Sequence, residues 1–164
     1  MVYTSDYPPF YVTADAVLLA RVGGVVHALV IRRGNPPFEG CWALPGGFVD
    51  PDEDLQAAAV RELAEETGAQ VPQLRQFQAY GAPDRDPRHR TVSVAHLAVL
   101  DEPVEVTAGD DAAHAEWKPV DWLLEDGRLA FDHARIIRDA VERAGLAQRP
   151  GTCARAADSH DVRR

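Results

Sequence analysis

Gly47-Phe48-Val49-Asp50-Pro51-Asp52-Glu53-Asp54-Leu55-Gln56-Ala57-Ala58-Ala59-Val60-Arg61-Glu62-Leu63-Ala64-Glu65-Glu66-Thr67-Gly68 is the stretch on which the reading of this chain turns. Its second half is rich in strong helix formers and carries apolar residues for one buried side. Glu62, Glu65 and Glu66 stand at i, i+3 and i+4, which places three carboxylates within an arc of about 100° on one helical face. Like charges so spaced repel by about a few tenths of a kcal/mol per pair. A solvated acidic face tolerates that; a cleft needs a counter-ion, and hard oxygen donors suit Mg²⁺ or Mn²⁺.

The surroundings favour the cleft. Leu44-Pro45-Gly46-Gly47-Phe48-Val49 is a β-like apolar run broken by two glycines, which let the backbone approach an ion or phosphate without a Cβ in the way. An acidic turn, Asp50-Pro51-Asp52-Glu53-Asp54, follows it. Asp54 is a candidate helix cap, with Asp50-Pro51 and Glu53 as an earlier alternative, and Gly68 is the stop. The order is strand, glycine loop, helix bearing carboxylates.

This arrangement resembles the Nudix hydrolase family. The family box runs Gly, five residues, Glu, seven residues, then Arg-Glu-aliphatic-any-Glu-Glu-any-Gly-aliphatic, and Gly47, Glu53, Arg61, Glu62, Leu63, Glu65, Glu66 and Gly68 meet it in spacing. Only the last position departs, as Ala69. The resemblance implies a mixed β-sheet sandwiched between helices, an α/β fold of the α-β-α type. It also implies metal ligation by Glu62, Glu65, Glu66 and the backbone carbonyl of Gly46. Arg61 reads as a scaffold whose guanidinium orients Glu53 or a ligand carboxylate. For the general base, Nudix enzymes use either a box glutamate or an acid on a later loop. Asp110, Asp111, His114 and Glu116 are the later candidates, with Asp111 preferred for its place before a predicted strand.

Composition fits a small enzyme. The chain has 164 residues and a formal charge of -9. That is enough length for one domain with a real core. The acidity argues against polymeric nucleic acid as a partner but not against a small anionic substrate met by metal ions and placed arginines. No run approaches a membrane span and the N-terminus lacks a signal-peptide pattern, so a cytoplasmic setting is expected. Cys41 and Cys153 read as lone thiols.

Along the chain, Val12 to Ala20, Val25 to Arg33, Cys41 to Leu44, Gln76 to Tyr80, Thr91 to Leu100 and Ala115 to Val120 read as strands. Phe131 to Ala144 reads as an amphipathic helix with Asp132 as its cap. Residues 1–147 are expected to form the domain, and residues 148–164 a disordered polar tail.

Flanking segments narrow the resemblance to bacterial ADP-ribose pyrophosphatases and the related regulators of NAD metabolism. They are the run from Arg32 to Val49, Arg85-Asp86-Pro87-Arg88 with Ser93-Val94-Ala95, and Ala130 to Ala134. The implied reaction is metal-dependent hydrolysis of ADP-ribose to AMP and ribose 5-phosphate. Arg85, Arg88 and Arg90 are expected to grip phosphate or ribose oxygens, against the plain alternative of a solvated loop. Tyr80 and Phe38, with Phe10, Tyr11 and Trp42, are candidates for stacking on adenine, although aromatics in strands are commonly core. His89 and His133 are candidate ligand contacts. A homodimer is expected, with the apolar run Pro8 to Val12 contributing to its interface. Two other readings remain: a Nudix pyrophosphatase for oxidised nucleotides, dinucleoside polyphosphates or NADH, and a non-catalytic ADP-ribose sensor. The short stretch after the last predicted helix argues against the winged-helix unit of such sensors, and the intact glutamates argue for an enzyme.

Overall fold

The computed structural model describes residues 4–109 and 112–146. Its centre is β1 (Tyr11–Val22), which hairpins through Gly23-Gly24 to β2 (Val25–Arg33). Two short strands follow, β3 (Trp42–Ala43) and β4 (Gly46–Phe48), and then helix α1 (Leu55–Thr67). The chain continues through β5 (Arg75–Tyr80), β6 (Thr91–Leu100), β7 (Ala112–Pro119), α2 (Val120–Glu125) and α3 (His133–Arg143). The seven strands make one sheet in the order β3-β2-β1-β6-β5, with β4 also on β1 and β7 also on β2. Among the described strand pairs β1 and β6 run parallel and the other ladders are antiparallel.

Helices cover both faces of this mixed sheet. β1 is therefore almost unbroken in apolar residues instead of alternating with polar ones. Its even positions Ala14, Ala16 and Leu18 pack under α1 with Ala58, Ala59 and Leu63. Its odd positions Val17 and Leu19 pack on the opposite face with Leu123, Ile136, Ile137 and Ala140 of α2 and α3. A one-residue slip of β1 would exchange the two cores, so the register is strongly specified. The expected α-β-α sandwich is present.

Helix α1 begins where Asp54 caps it, its carboxylate accepting from the Gln56 N–H at 3.1 Å. It ends at Gly68, whose φ of 65° is left-handed and whose N–H reaches the Ala64 carbonyl. Asp132 departs from expectation: it precedes α3 but makes no capping bond, because its carboxylate is committed to Arg85. Helix α2 was not expected, since its six residues are too few to show a helical period and they continue the β7 run directly. Among the described residues no helix is long and apolar enough to cross a membrane. The tail expected over residues 148–164 and the preferred base Asp111 lie outside the described residues, as does Cys153.

Candidate active site

Strand β4 antiparallel to β1 sets Gly46 opposite Asp15 and Gly47 opposite Ala14, and α1 lies across this pair. Both glycines are required by proximity. A Cβ on Gly47 would fall on the Glu62 carboxylate, and one on Gly46 would meet the Ala14 carbonyl at 2.6 Å, at a φ of 158° that side chains rarely adopt. The double glycine thus lets the acids of α1 lie directly against the backbone.

Arg61 organises the helix acids. Its Nε donates to Glu53 Oε1 and one terminal nitrogen to Glu53 Oε2, both at 2.8 Å. The other terminal nitrogen donates to Glu62 at 2.8 Å and to Glu65 at 3.2 Å, and the Phe48 carbonyl also accepts from Arg61. Hydrogen bonding to Arg61 lowers the Glu53 pKa, and the two carboxylates in turn hold the guanidinium well above its usual range. Arg61, read from the sequence as a scaffold orienting Glu53 or a ligand carboxylate, contacts Glu53, Glu62 and Glu65. Burial raises the Glu62 pKa despite Arg61.

Glu66 is placed differently. Its Oε2 accepts from the Gly46 N–H at 2.9 Å. Burial, with the nearby charges of Glu62 and Asp15, pushes its pKa up to about 8. Arg33 attracts it only from a distance. The deficit of positive charge is therefore concentrated on Glu66.

Glu62 and Glu66 line a groove with Gly46, Gly47, Arg33, Arg61 and Arg88. Glu65 does not border it: its side chain is 60% exposed beside Arg61. Of the three glutamates expected to converge, Glu62 and Glu66 thus border the groove, while Glu65 lies on the solvent side of Arg61. Among the described residues no group of three His, Cys, Asp or Glu side chains is gathered as a metal cage. The donor set still fits a hard divalent cation, since two carboxylates converge on a glycine-bared backbone and burial, with neighbouring carboxylates, raises the pKa of one of them in the absence of a counter-ion.

Past Gly46 and Gly47 the groove opens into a second cavity bordered by Thr13, Asp15, Arg85, Phe131 and His133. The segment 128–131 is tied to β3, with the Ala130 N–H on the Trp42 carbonyl and the Trp42 N–H on the Arg128 carbonyl, which delivers Phe131 and His133 to this wall. Arg85 differs from its expected role. Its side chain is 3% exposed and forks onto Asp132 at 2.6 and 3.0 Å, so it braces the wall instead of reaching for a ligand. Arg88 lies beside both cavities while bonded to Asp86 at 2.8 and 3.0 Å.

Three other expected contacts fall elsewhere. Tyr80 is a core residue whose hydroxyl donates to Asp139. Arg90 leans on the Phe10 ring at 5.0 Å and borders neither cavity. Phe38 packs edge-on against Phe131 at 4.8 Å. Conversely, Asp15, Thr13, Arg33 and Phe131 border the cavities without having been singled out. Asp15 left a signal, since a carboxylate inside an uninterrupted apolar strand must have a reason to be there.

A family model described as the NUDIX domain matches residues 9–140. The chain belongs to the NUDIX domain family. This NUDIX domain is 46% identical over 113 residues to an ADP-ribose pyrophosphatase of Methanocaldococcus jannaschii, covering 68% of this chain and 63% of that protein. It is 37% identical over 141 residues to the ADPR responsive transcriptional repressor NtrR of Acinetobacter baylyi, covering 85% of this chain and 56% of the repressor. The chain therefore spans less than two-thirds of either relative. Among solved structures it is similar to the NUDIX domain of Shewanella oneidensis NrtR complexed with ADP ribose, with a TM-score of 0.79 at 33% identity over 84% of this chain and 90% of that one.

Proposed function

We propose that this NUDIX domain hydrolyses ADP-ribose to AMP and ribose 5-phosphate, with Mg²⁺ or Mn²⁺ held by Glu62 and Glu66. The observation that carries this reading is the pair of carboxylates packed against Gly46-Gly47 at the junction of two cavities, a place for a diphosphate with a group on either side. When bound, the cation would neutralise diphosphate oxygens and acidify an attacking water. Arg61 keeps Glu62 in orientation through its fork on Glu53. Arg33 and Arg88 border both cavities and complement phosphate charge. Asp111 remains the proposed proton acceptor.

Incubation of ADP-ribose with the protein and Mg²⁺ is expected to yield AMP and ribose 5-phosphate in equal amounts, read by chromatography. The likeness to an ADPR responsive repressor supports a second reading, in which the domain binds ADP-ribose without cleaving it. Calorimetric binding with intact ligand recovered after hours would select that reading.

We also propose a homodimer. Phe10, Tyr11 and Val12 remain 60%, 41% and 38% exposed as a contiguous apolar run, and such a patch marks an interaction surface. Sedimentation equilibrium at micromolar concentration is expected to give twice the mass of the chain; a monomer throughout would contradict it.

A further inference from the structure

The second cavity contains a polar arrangement that the diphosphate chemistry does not use. The Leu44 N–H donates to His133 Nδ1 at 2.9 Å, so Nδ1 bears the lone pair. Burial lowers the His133 pKa, which keeps the ring neutral with its hydrogen on Nε2. Nε2 faces Asp15 Oδ2 at 3.9 Å, too far for a direct hydrogen bond. Ser93 Oγ donates to the same carboxylate oxygen and holds it in place. Asp15 and His133 are about as buried as the core, at 5% and 4% exposed. A buried donor and a buried acceptor thus border one cavity with a gap between them.

A group that accepts from one side and donates to the other closes such a gap, and a hydroxyl does both. An anionic oxygen, which only accepts, would face the Asp15 carboxylate and be repelled. We infer that Asp15 and His133 form a binding site for a hydroxyl of the sugar attached to the diphosphate, setting which end of the substrate enters the inner cavity. This inference rests on the hydrolase reading above. Arg85 is the positioning residue here: its fork on Asp132 fixes the residue adjoining His133.

The test compares kcat/KM for ADP-ribose with that for ADP methylated on its terminal phosphate, which has the same diphosphate linkage but no sugar hydroxyl. The parent protein is expected to favour ADP-ribose by at least about tenfold, the discrimination one well-placed buried hydrogen-bonding group provides. Asp15→Asn and His133→Gln are expected to bring the two substrates within about twofold by losing more activity on ADP-ribose, since any effect of Asp15→Asn on the neighbouring Glu66 falls on both substrates alike. No preference in the parent protein overturns the inference, and this holds even if neither variant folds. Equal losses on both substrates in the variants also overturn it, and leave the hydrolase reading standing. Hydrolysis of neither substrate by the parent protein overturns both.

Discussion

Glu66→Gln is expected to lower turnover of ADP-ribose by on the order of a thousandfold, the scale for removing a charge that acts on a developing phosphate charge. The change is conservative in shape, and the amide oxygen can still accept from the Gly46 N–H that Oε2 now engages. The fold should therefore persist, and in chelator the variant should be the more stable protein. The reason lies in the linkage. The folded pKa of Glu66 is about 8 against an ordinary value of 4.5, so the native state retains a proton that the unfolded chain releases. Native stability is then lost as pH rises from about 4.5 to about 8, where the charge must be carried in a buried place. Gln avoids that cost. Thermal unfolding in chelator should show the two proteins alike near pH 4 and the variant ahead near pH 9, by an amount on the order of a few kcal/mol. Equal turnover at saturating metal would remove Glu66 from the site, and a variant less stable at pH 9 would refute the burial argument.

Arg85→Ala is expected to cost about 3–5 kcal/mol of stability, the range for removing one partner of a buried pair. Asp132 would be left with its charge uncompensated, and Phe131, held beside it at a φ of 51°, would lose the brace that sustains a backbone conformation side chains rarely adopt. Arg88→Ala should differ in its kinetics. The Arg88 side chain is 37% exposed but its partner Asp86 is only 2% exposed, so its loss is expected to cost stability by leaving Asp86 unpaired and, unlike the loss of Arg85, also to raise KM for ADP-ribose more than it lowers kcat. Urea unfolding of both variants, followed by kinetics, checks this. A stable Arg85→Ala protein with raised KM would return Arg85 to the role of ligand contact.

The comparison of these two arginines shows where sequence reading stops. Arg85 and Arg88 look alike in Arg85-Asp86-Pro87-Arg88, and nothing local tells that Asp132 waits across the fold for only one of them. The same applies to Glu65. Helical spacing groups it with Glu62 and Glu66, but which of the three border the groove depends on how β4 packs across α1, a tertiary property. By contrast the capping of α1 by Asp54 and Gly68 and the strand-glycine-helix order around Gly46-Gly47 are local, and were legible. The sandwich itself came from the family resemblance, while the unbroken apolar character of β1 gives its physical counterpart: both faces are covered. Asp15 was legible as an anomaly in that strand, yet its partners Ser93 and His133 come from β6 and α3 and required the fold.

The central claim is that Glu62 and Glu66 together hold a divalent cation. Mn²⁺ binding followed by electron paramagnetic resonance, without nucleotide, tests it without reference to turnover. The parent protein is expected to bind Mn²⁺, and Glu66→Gln to bind it at least about tenfold more weakly. Equal Mn²⁺ affinity in the two proteins would contradict the claim.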